Sequence, residues 1–364
     1  MERFCECDST PYQIRPYSLS LRTVAENSTM MSNAEKRTPQ AAFEITKGAR
    51  PVMTLGEKDV EKYLDPRELL AGLEDGFRGL ELGEVQSPPR SQLSVPGKGF
   101  SLTMPAWRPG MQLTVKIVNV FDGNLQLALP NHLALITLFD PNTGVTSCIL
   151  DGTYVTAVRT AATAALSVRL LSRTDSRIAT VIGAGVQGRQ HLRLLPLVRN
   201  FERINICSLR FDEAQKLATQ SEIAWAPANL EDAVRESDVV CLATHSAEPV
   251  IESAWVKAGT HVASVGFHPP NGELPTDLAR NHRLFVETLD AFQPAPVGCS
   301  ELANLDSTKG TALGAVILGR QPGRISDNEI TVYKAMGVAM EDMVAANLAF
   351  QRAKQDRGVS FTAL

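Results

Sequence analysis

Three glycines carry the most specific chemistry in this 364-residue chain: Gly183, Gly185 and Gly188, in the run Gly-Ala-Gly-Val-Gln-Gly. The run follows a β-type segment at 178–182 and opens a helical one, and that context gives the pattern its meaning. The first two glycines allow a tight turn and close approach of the backbone to a pyrophosphate. The third lets the helix pack on the strand, and the helix N-terminus offers free N–H groups and a positive dipole end. Gly183, Gly185, Val186, Gln187 and Gly188 are therefore candidate dinucleotide-binding residues. About twenty residues further on, an Asp or Glu would bond the adenosine ribose of NAD. Ser208 holds that place, followed by Arg210, whose guanidinium suits a 2′-phosphate. NADPH is favoured, and Asp212 keeps NAD possible. Arg210 also reads as a solvated residue at a helix start. A further candidate is Lys116, a cation inside an otherwise apolar β run (112–121), which must either point outward or face a partner.

The elements that position these residues follow from periodicity. Segment 55–83 has apolar residues at helical spacing, notably Leu69, Leu70, Leu73 and Phe77, and predicts a helical pair. From Ser87 to Gly152 the chain turns to short β-branched and apolar runs punctuated by Pro-Gly, Asp-Gly and Pro-Asn, the pattern of an antiparallel or mixed sheet. The Ala-rich stretch 154–173 predicts one long helix. Beyond it, strands alternate with helices through the glycine turn, which implies a parallel, doubly wound sheet. The C-terminal part reads as mainly helical, with 328–354 the longest candidate.

Composition bounds the function. Hydrophobic residues at 44% and charged residues at 21% suit a globular chain of about two domains. The 36 Lys and Arg against 40 Asp and Glu give a net charge of −4 with no long basic run, so nucleic acid is not an expected partner. No apolar stretch reaches 18 residues, and no membrane span is expected. The six cysteines are scattered, without the paired clusters of a zinc site; Cys148, Cys207 and Cys241 read as core residues in a reducing compartment. A cytoplasmic location follows. The polar N-terminal segment lacks an apolar core for secretion and reads as a disordered tail, with organelle import as an alternative and Met30 or Met31 as alternative starts.

Several segments, taken in order, resemble the ornithine cyclodeaminase and mu-crystallin family. They are Ser-Pro-Pro-Arg at 87–90, Met-Pro-Ala-Trp at 104–107, Lys116, Pro-Asn-His at 130–132, Leu-Asp-Gly-Thr-Tyr-Val-Thr-Ala-Val-Arg-Thr-Ala-Ala from Leu150, the glycine turn, and the stretch from Leu313 through Gly-Arg-Ile-Ser-Asp-Asn-Glu-Ile-Thr-Val-Tyr-Lys. The resemblance runs from about 51 to 354. It implies an α/β fold in which a Rossmann dinucleotide-binding domain (174–316) is inserted into a discontinuous α+β substrate-binding and dimerisation domain (46–173 plus 317–364), with a tail at 1–45. It also implies a homodimer and a small-molecule imino or amino acid substrate. By position, Lys116 matches the family's active-site lysine, Arg159 the arginine of its Arg-Thr-Ala-Ala motif, and Arg90 an upstream arginine that helps hold the substrate carboxylate. Asn131 and His132 match a pair at the nicotinamide side of the pocket, and Thr244 a cofactor-contacting threonine.

These matches make physical sense. A planar guanidinium grips a carboxylate through two charge-assisted hydrogen bonds and so fixes the imine carbon. A lysine near two arginines should have a lowered pKa, which suits proton transfer to the substrate nitrogen. One departure matters. Family cyclodeaminases carry an acid in a Gly-x-Asp-x-Pro-Gly-Lys-x-Glu-Leu segment, whereas this chain has Val-Gly-Phe-His-Pro-Pro-Asn-Gly-Glu-Leu at 265–274, a residue shorter and with no Asp. That disfavours cyclodeamination and favours reduction of 2-imino carboxylates to L-amino acids. His268 is either a replacement proton donor or a loop histidine beside two prolines. The alternatives are an ornithine or lysine cyclodeaminase with bound NAD, and an NADPH-binding protein with little turnover.

Overall fold

The computed structural model describes residues 50–268 and 271–363; the expected tail at 1–45 lies outside the described residues. The first described elements are β1 (Pro51–Leu55), α1 (Glu57–Tyr63) and α2 (Pro66–Glu81). Five strands come next: β2 (Ser91–Val95), β3 (Gly99–Ala106), β4 (Leu113–Val120), β5 (His132–Phe139) and β6 (Thr146–Asp151). They lead into α3 (Gly152–Leu171), and the alternating part then runs β7 (Ile178–Ile182), α4 (Val186–Leu194), β8 (Arg203–Cys207), α5 (Phe211–Ala218), β9 (Ala224–Trp225), α6 (Leu230–Glu236), β10 (Val239–Leu242) and β11 (His261–Ser264). After these come α7 (Thr276–Asn281), β12 (Arg283–Val286), β13 (Gly310–Ala312), α8 (Leu313–Ile317), β14 (Thr331–Lys334), α9 (Ala339–Ala353) and β15 (Ser360–Ala363).

Two sheets result. The seven-stranded sheet has the order β15-β1-β6-β5-β4-β3-β2. It is antiparallel except where β1 lies parallel to β6. The eight-stranded sheet, β13-β12-β14-β11-β10-β7-β8-β9, is parallel throughout. Its chain order reverses between β7 and β10: β8 and β9 continue on one side of β7, and β10 and β11 on the other. Ligands of open α/β sheets sit outside the carboxyl ends of the strands at such a reversal.

Helix α3 joins the two halves. Asp151 caps it by accepting from Tyr154 N at 2.7 Å. Its small side chains are buried nearly all round, because it packs on β5 on one side and against α2, α4, α9 and β11 on others. An Ala-rich helix without a polar stripe is what such enclosure requires.

One expected element differs. The stretch 328–354 is not a single helix: Thr331–Lys334 is a strand, paired between β11 and β12, and the helix begins only at Ala339. The β-branched and aromatic run Thr-Val-Tyr is wholly buried in the parallel sheet, which suits a strand, and Gly337 with φ +74° breaks the chain direction before the helix. A boundary at 316 would have left this strand outside the doubly wound sheet, whereas its pairing puts it inside.

Candidate active site

The site is built where β4, α3 and α9 meet. Lys116 lies on the core-facing phase of β4, alternating with the outward Ile117, so the outward alternative does not hold: its side chain is 1% exposed. Its Nζ stands 2.6 Å from Oδ2 of Asp342 and 3.4 Å from the Thr156 hydroxyl. The other Asp342 oxygen, Oδ1, accepts from Arg159 Nε at 3.1 Å, and Arg159 Nη1 donates to Glu341 Oε2 at 2.5 Å. Asp342 thus ties the lysine to the arginine. Glu341 is held from its other oxygen by the Thr163 hydroxyl at 2.8 Å.

Arg90 arrives from the loop before β2 and donates through Nη2 to the carbonyls of Met336, at 2.9 Å, and Gly337. The N–H groups of the same two residues donate to Glu287 Oε2 at 2.9 and 2.7 Å, and Tyr333 donates to its Oε1 at 3.2 Å. Glu287 therefore fixes the turn on which Arg90 rests. Gly337 is needed there: a Cβ would come within 2.6 Å of Arg159 Nη1. A cleft lined by Pro89, Arg90, Met104, Met336, Gly337 and Val338 opens beside this turn. Among the described residues, Arg90 Nη1 and Arg159 Nη2 donate to no other group.

The electrostatics follow from burial among these charges. Burial lowers the Lys116 ammonium to about 8; Asp342 opposes that fall, while Arg159 and Arg90 add to it. The expected direction holds, with burial rather than the arginines as the larger cause. Burial works against the Arg159 guanidinium, but Asp342 and Glu341 outweigh it and raise its pKa. Burial lowers that of Arg90. Burial and the nearby Glu287 push the Glu341 carboxyl well above the usual carboxylate range.

At the carboxyl edge of the parallel sheet, Gly183 has φ +119°, and a Cβ there would meet the Ala243 carbonyl at 2.3 Å. A Cβ on Gly188 would lie 1.9 Å from the Gly183 carbonyl. Both glycines are required by close backbone packing within the turn, whereas a Cβ on Gly185 would meet nothing, so the turn is open there, as a pyrophosphate site needs, with Gly185 capping α4 and Val186 and Gln187 in its first turn. Thr244, two residues past β10, borders Gly183 across the chain reversal. On the other side Gly183 N donates to the Cys207 carbonyl, so Ser208 follows directly beside the turn. Arg210 stands beyond it with its side chain 73% exposed, paired to Glu213 at 2.5 Å, and its N–H donates to the Ser208 hydroxyl.

A third group is imidazole. His132 Nδ1 lies 3.1 Å from Asn131 Oδ1, the His245 ring is 6.1 Å from that of His132, and the His268 ring is 4.3 Å from His245. Burial lowers His132 to about 4, with His245 adding to the effect, so it is neutral near pH 7. His268 Nδ1 is buried without a partner among the described residues.

The fold thus brings Lys116, Arg159 and Arg90 together, sets Asn131, His132 and His268 in one cluster, and places Ser208 and Arg210 apart at the far side of the glycine turn. Sequence reasoning missed Asp342, Glu341, Glu287, Glu273 and His245. A signal existed for the first two: adjacent acids inside the apolar run Val-Ala-Met-Glu-Asp-Met-Val must find cations when the helix is buried.

A doubly wound parallel sheet with a glycine-rich turn at the reversal of its chain order, beside a buried cluster of Lys116, Arg159 and Arg90, defines a Rossmann-like protein of the dinucleotide-binding class. The sequence of residues 51–357 matches the ornithine cyclodeaminase/mu-crystallin family, and the chain belongs to it. It is 32% identical to the ketimine reductase mu-crystallin of Mus musculus over 306 residues, 81% of this chain and 96% of that protein. Its structure is similar to that of the Thermococcus litoralis Δ1-pyrroline-2-carboxylate reductase in complex with NADH and L-proline, with a TM-score of 0.79 and 31% identity over 86% of this chain and 100% of that one. It is also similar to an archaeal alanine dehydrogenase dimer with bound NAD, with a TM-score of 0.77 and 28% identity over 86% and 99%. Among the described residues no helix is long and apolar enough to cross a membrane.

Proposed function

We propose that this protein is an NAD(P)H-dependent reductase of cyclic or open 2-imino carboxylates, giving L-amino acids. One observation carries the reading: a buried ammonium and a buried guanidinium are tied through one carboxylate by the Lys116–Asp342–Arg159 contacts, with the Arg90 guanidinium close enough to act on both. A reduced nicotinamide would supply hydride to the C=N carbon. The chain does the rest. Arg159 through Nη2 and Arg90 through Nη1 would together hold the carboxylate, which fixes the imine carbon. Lys116 Nζ, with its pKa near 8, would give a proton to the imine nitrogen as hydride reaches the carbon, leaving the neutral amine, and water would return the proton to the lysine. Gly183 through Gly188 would hold the pyrophosphate, Thr244 the nicotinamide end, and Ser208 and Arg210 the adenosine end. Arg210, exposed and able to turn from Glu213 to a 2′-phosphate, supports NADPH over NADH, with NADH as second cofactor. His268, in place of an acid, supports reduction over cyclodeamination and stands as an auxiliary proton donor.

The subunit is proposed to pair with a second copy through the outer face of the seven-stranded sheet. Ile117 and Leu135 stand opposite each other there, and Leu133, Leu113 and Leu93 extend an exposed apolar surface across β2, β4 and β5. The two sheets serve as two domains, the seven-stranded one for substrate and pairing and the parallel one for cofactor.

Incubation with ornithine and catalytic NAD⁺, and separately with NADPH and a cyclic 2-imino acid, separates the readings. Oxidation of NADPH without ammonia release from ornithine is expected. Ammonia release would replace the proposal with the cyclodeaminase, and tight cofactor binding with neither reaction would leave a binding protein.

A further inference from the structure

Glu273 is fully buried under the mouth of the parallel sheet, and its carboxylate collects five hydrogen bonds from the loops after β10 and β11. Oε1 accepts from Ser264 Oγ at 2.9 Å, Val265 N at 3.1 Å and Gly266 N at 2.6 Å. Oε2 accepts from Thr244 N and Thr244 Oγ1, both at 2.7 Å. Lys334 locks the arrangement from beneath: its Nζ donates to Ser264 Oγ at 3.1 Å and to the Gly266 carbonyl at 2.6 Å, and stands 2.7 Å from Glu301 Oε1. A carboxylate has only acceptor sites, so every group facing it must donate. The Thr244 hydroxyl proton and the Thr244 N–H are both committed inward. The hydroxyl also takes a donor from Ser246 N at 3.3 Å, which leaves it one outward lone pair and no outward proton.

We infer that Glu273 is a positioning residue that makes Thr244 a hydrogen-bond acceptor toward the nicotinamide end of the crevice, so that this end selects a ring substituent bearing an N–H donor. The inference rests on the proposed dinucleotide reading and deepens it. A nicotinamide carries one such donor, the N–H₂ of its carboxamide. A 3-acetylpyridine analogue keeps the carbonyl and lacks the donor. In Glu273→Gln, the side-chain oxygen belongs on the side with three donors, so its N–H₂ faces Thr244. The hydroxyl then accepts inward, and its proton turns outward.

The test is equilibrium binding of NADPH and NADH and of their reduced 3-acetylpyridine analogues, read by quenching of protein fluorescence without substrate, on the full chain. Wild type is expected to prefer the carboxamide by about fivefold, the size of one neutral hydrogen bond. Glu273→Gln is expected to bring the two within about twofold. Thr244→Val, which keeps the shape and removes the hydroxyl, is expected to do the same, and it carries the test if the buried substitution fails to fold. Thr244→Ser should restore the preference. A wild-type ratio that persists in both Glu273→Gln and Thr244→Val overturns the inference while leaving the cofactor reading intact. Failure of wild type to bind any of the dinucleotides overturns both.

Discussion

Lys116 Nζ lies 2.6 Å from Asp342 Oδ2, with both side chains sealed from solvent, and the second oxygen of the same carboxylate holds Arg159. One acid therefore both opposes the burial-driven fall in the lysine's proton affinity and holds Arg159, the arginine proposed to grip the substrate carboxylate. Asp342→Asn keeps the shape and removes the charge that supports the ammonium. If protonated Lys116 is the active form, the rate of imine reduction falls as pH rises through about 8. In the variant, burial and the two arginines act on Lys116 unopposed, so this basic limb moves to lower pH. Removing one partner of a buried pair costs roughly 3 kcal/mol or more, so the melting temperature should drop as well. A pH–rate profile and a thermal melt of the variant check both. An unmoved basic limb would show that Asp342 does not govern the lysine.

Cofactor choice is tested at Arg210. Its side chain is exposed and, among the described residues, bound only to a neighbouring glutamate, so Arg210→Ala should leave the fold and the melting temperature unchanged. The KM for NADPH is expected to rise about tenfold or more, the loss of a charge-assisted contact, with the KM for NADH moving less than twofold. Equal changes for the two cofactors would remove the NADPH preference.

Two buried histidines make the fold acid-sensitive. His191 donates through Nδ1 to the Gln187 carbonyl, His261 lies between Ser167 and Thr331, and burial lowers them to about 4 and about 3. Both folded values lie below the unfolded value near 6.5, so the unfolded chain binds more protons as pH falls. Stability is full above about pH 6.5 and is lost progressively as pH falls toward 4. Urea unfolding at pH 7, 6, 5 and 4.5 should show a steady decline below pH 6.5; a constant midpoint across this range would contradict the burial of neutral imidazoles.

What was legible in the sequence was local. The glycine turn, the strands around it and the β4 run that holds Lys116 announce themselves within a dozen residues, because strand period and turn chemistry act over that range. The site's acids were not legible, since Asp342 meets Arg159 from 183 residues away, and only the fold makes that pairing. Strand β14 was hidden for a related reason. Thr-Val-Tyr-Lys is short and followed closely by an apolar helix, and its β-branched and aromatic residues become a strand between β11 and β12, which enclose it. Glu273 stood in the quoted 265–274 segment, but its role was hidden, because the Thr244 it holds comes from another loop, 29 residues away.

The most direct test of imine reduction at the Lys116 site compares wild type with Lys116→Met in the oxidation of NADPH by pyrroline-2-carboxylate, with the affinity for NADPH measured alongside. Wild type is expected to consume NADPH with formation of an equal amount of proline, and the variant to lose about a hundredfold or more in kcat while binding NADPH as tightly. Turnover of the variant near the wild-type rate, or no oxidation by wild type despite bound cofactor, would contradict it.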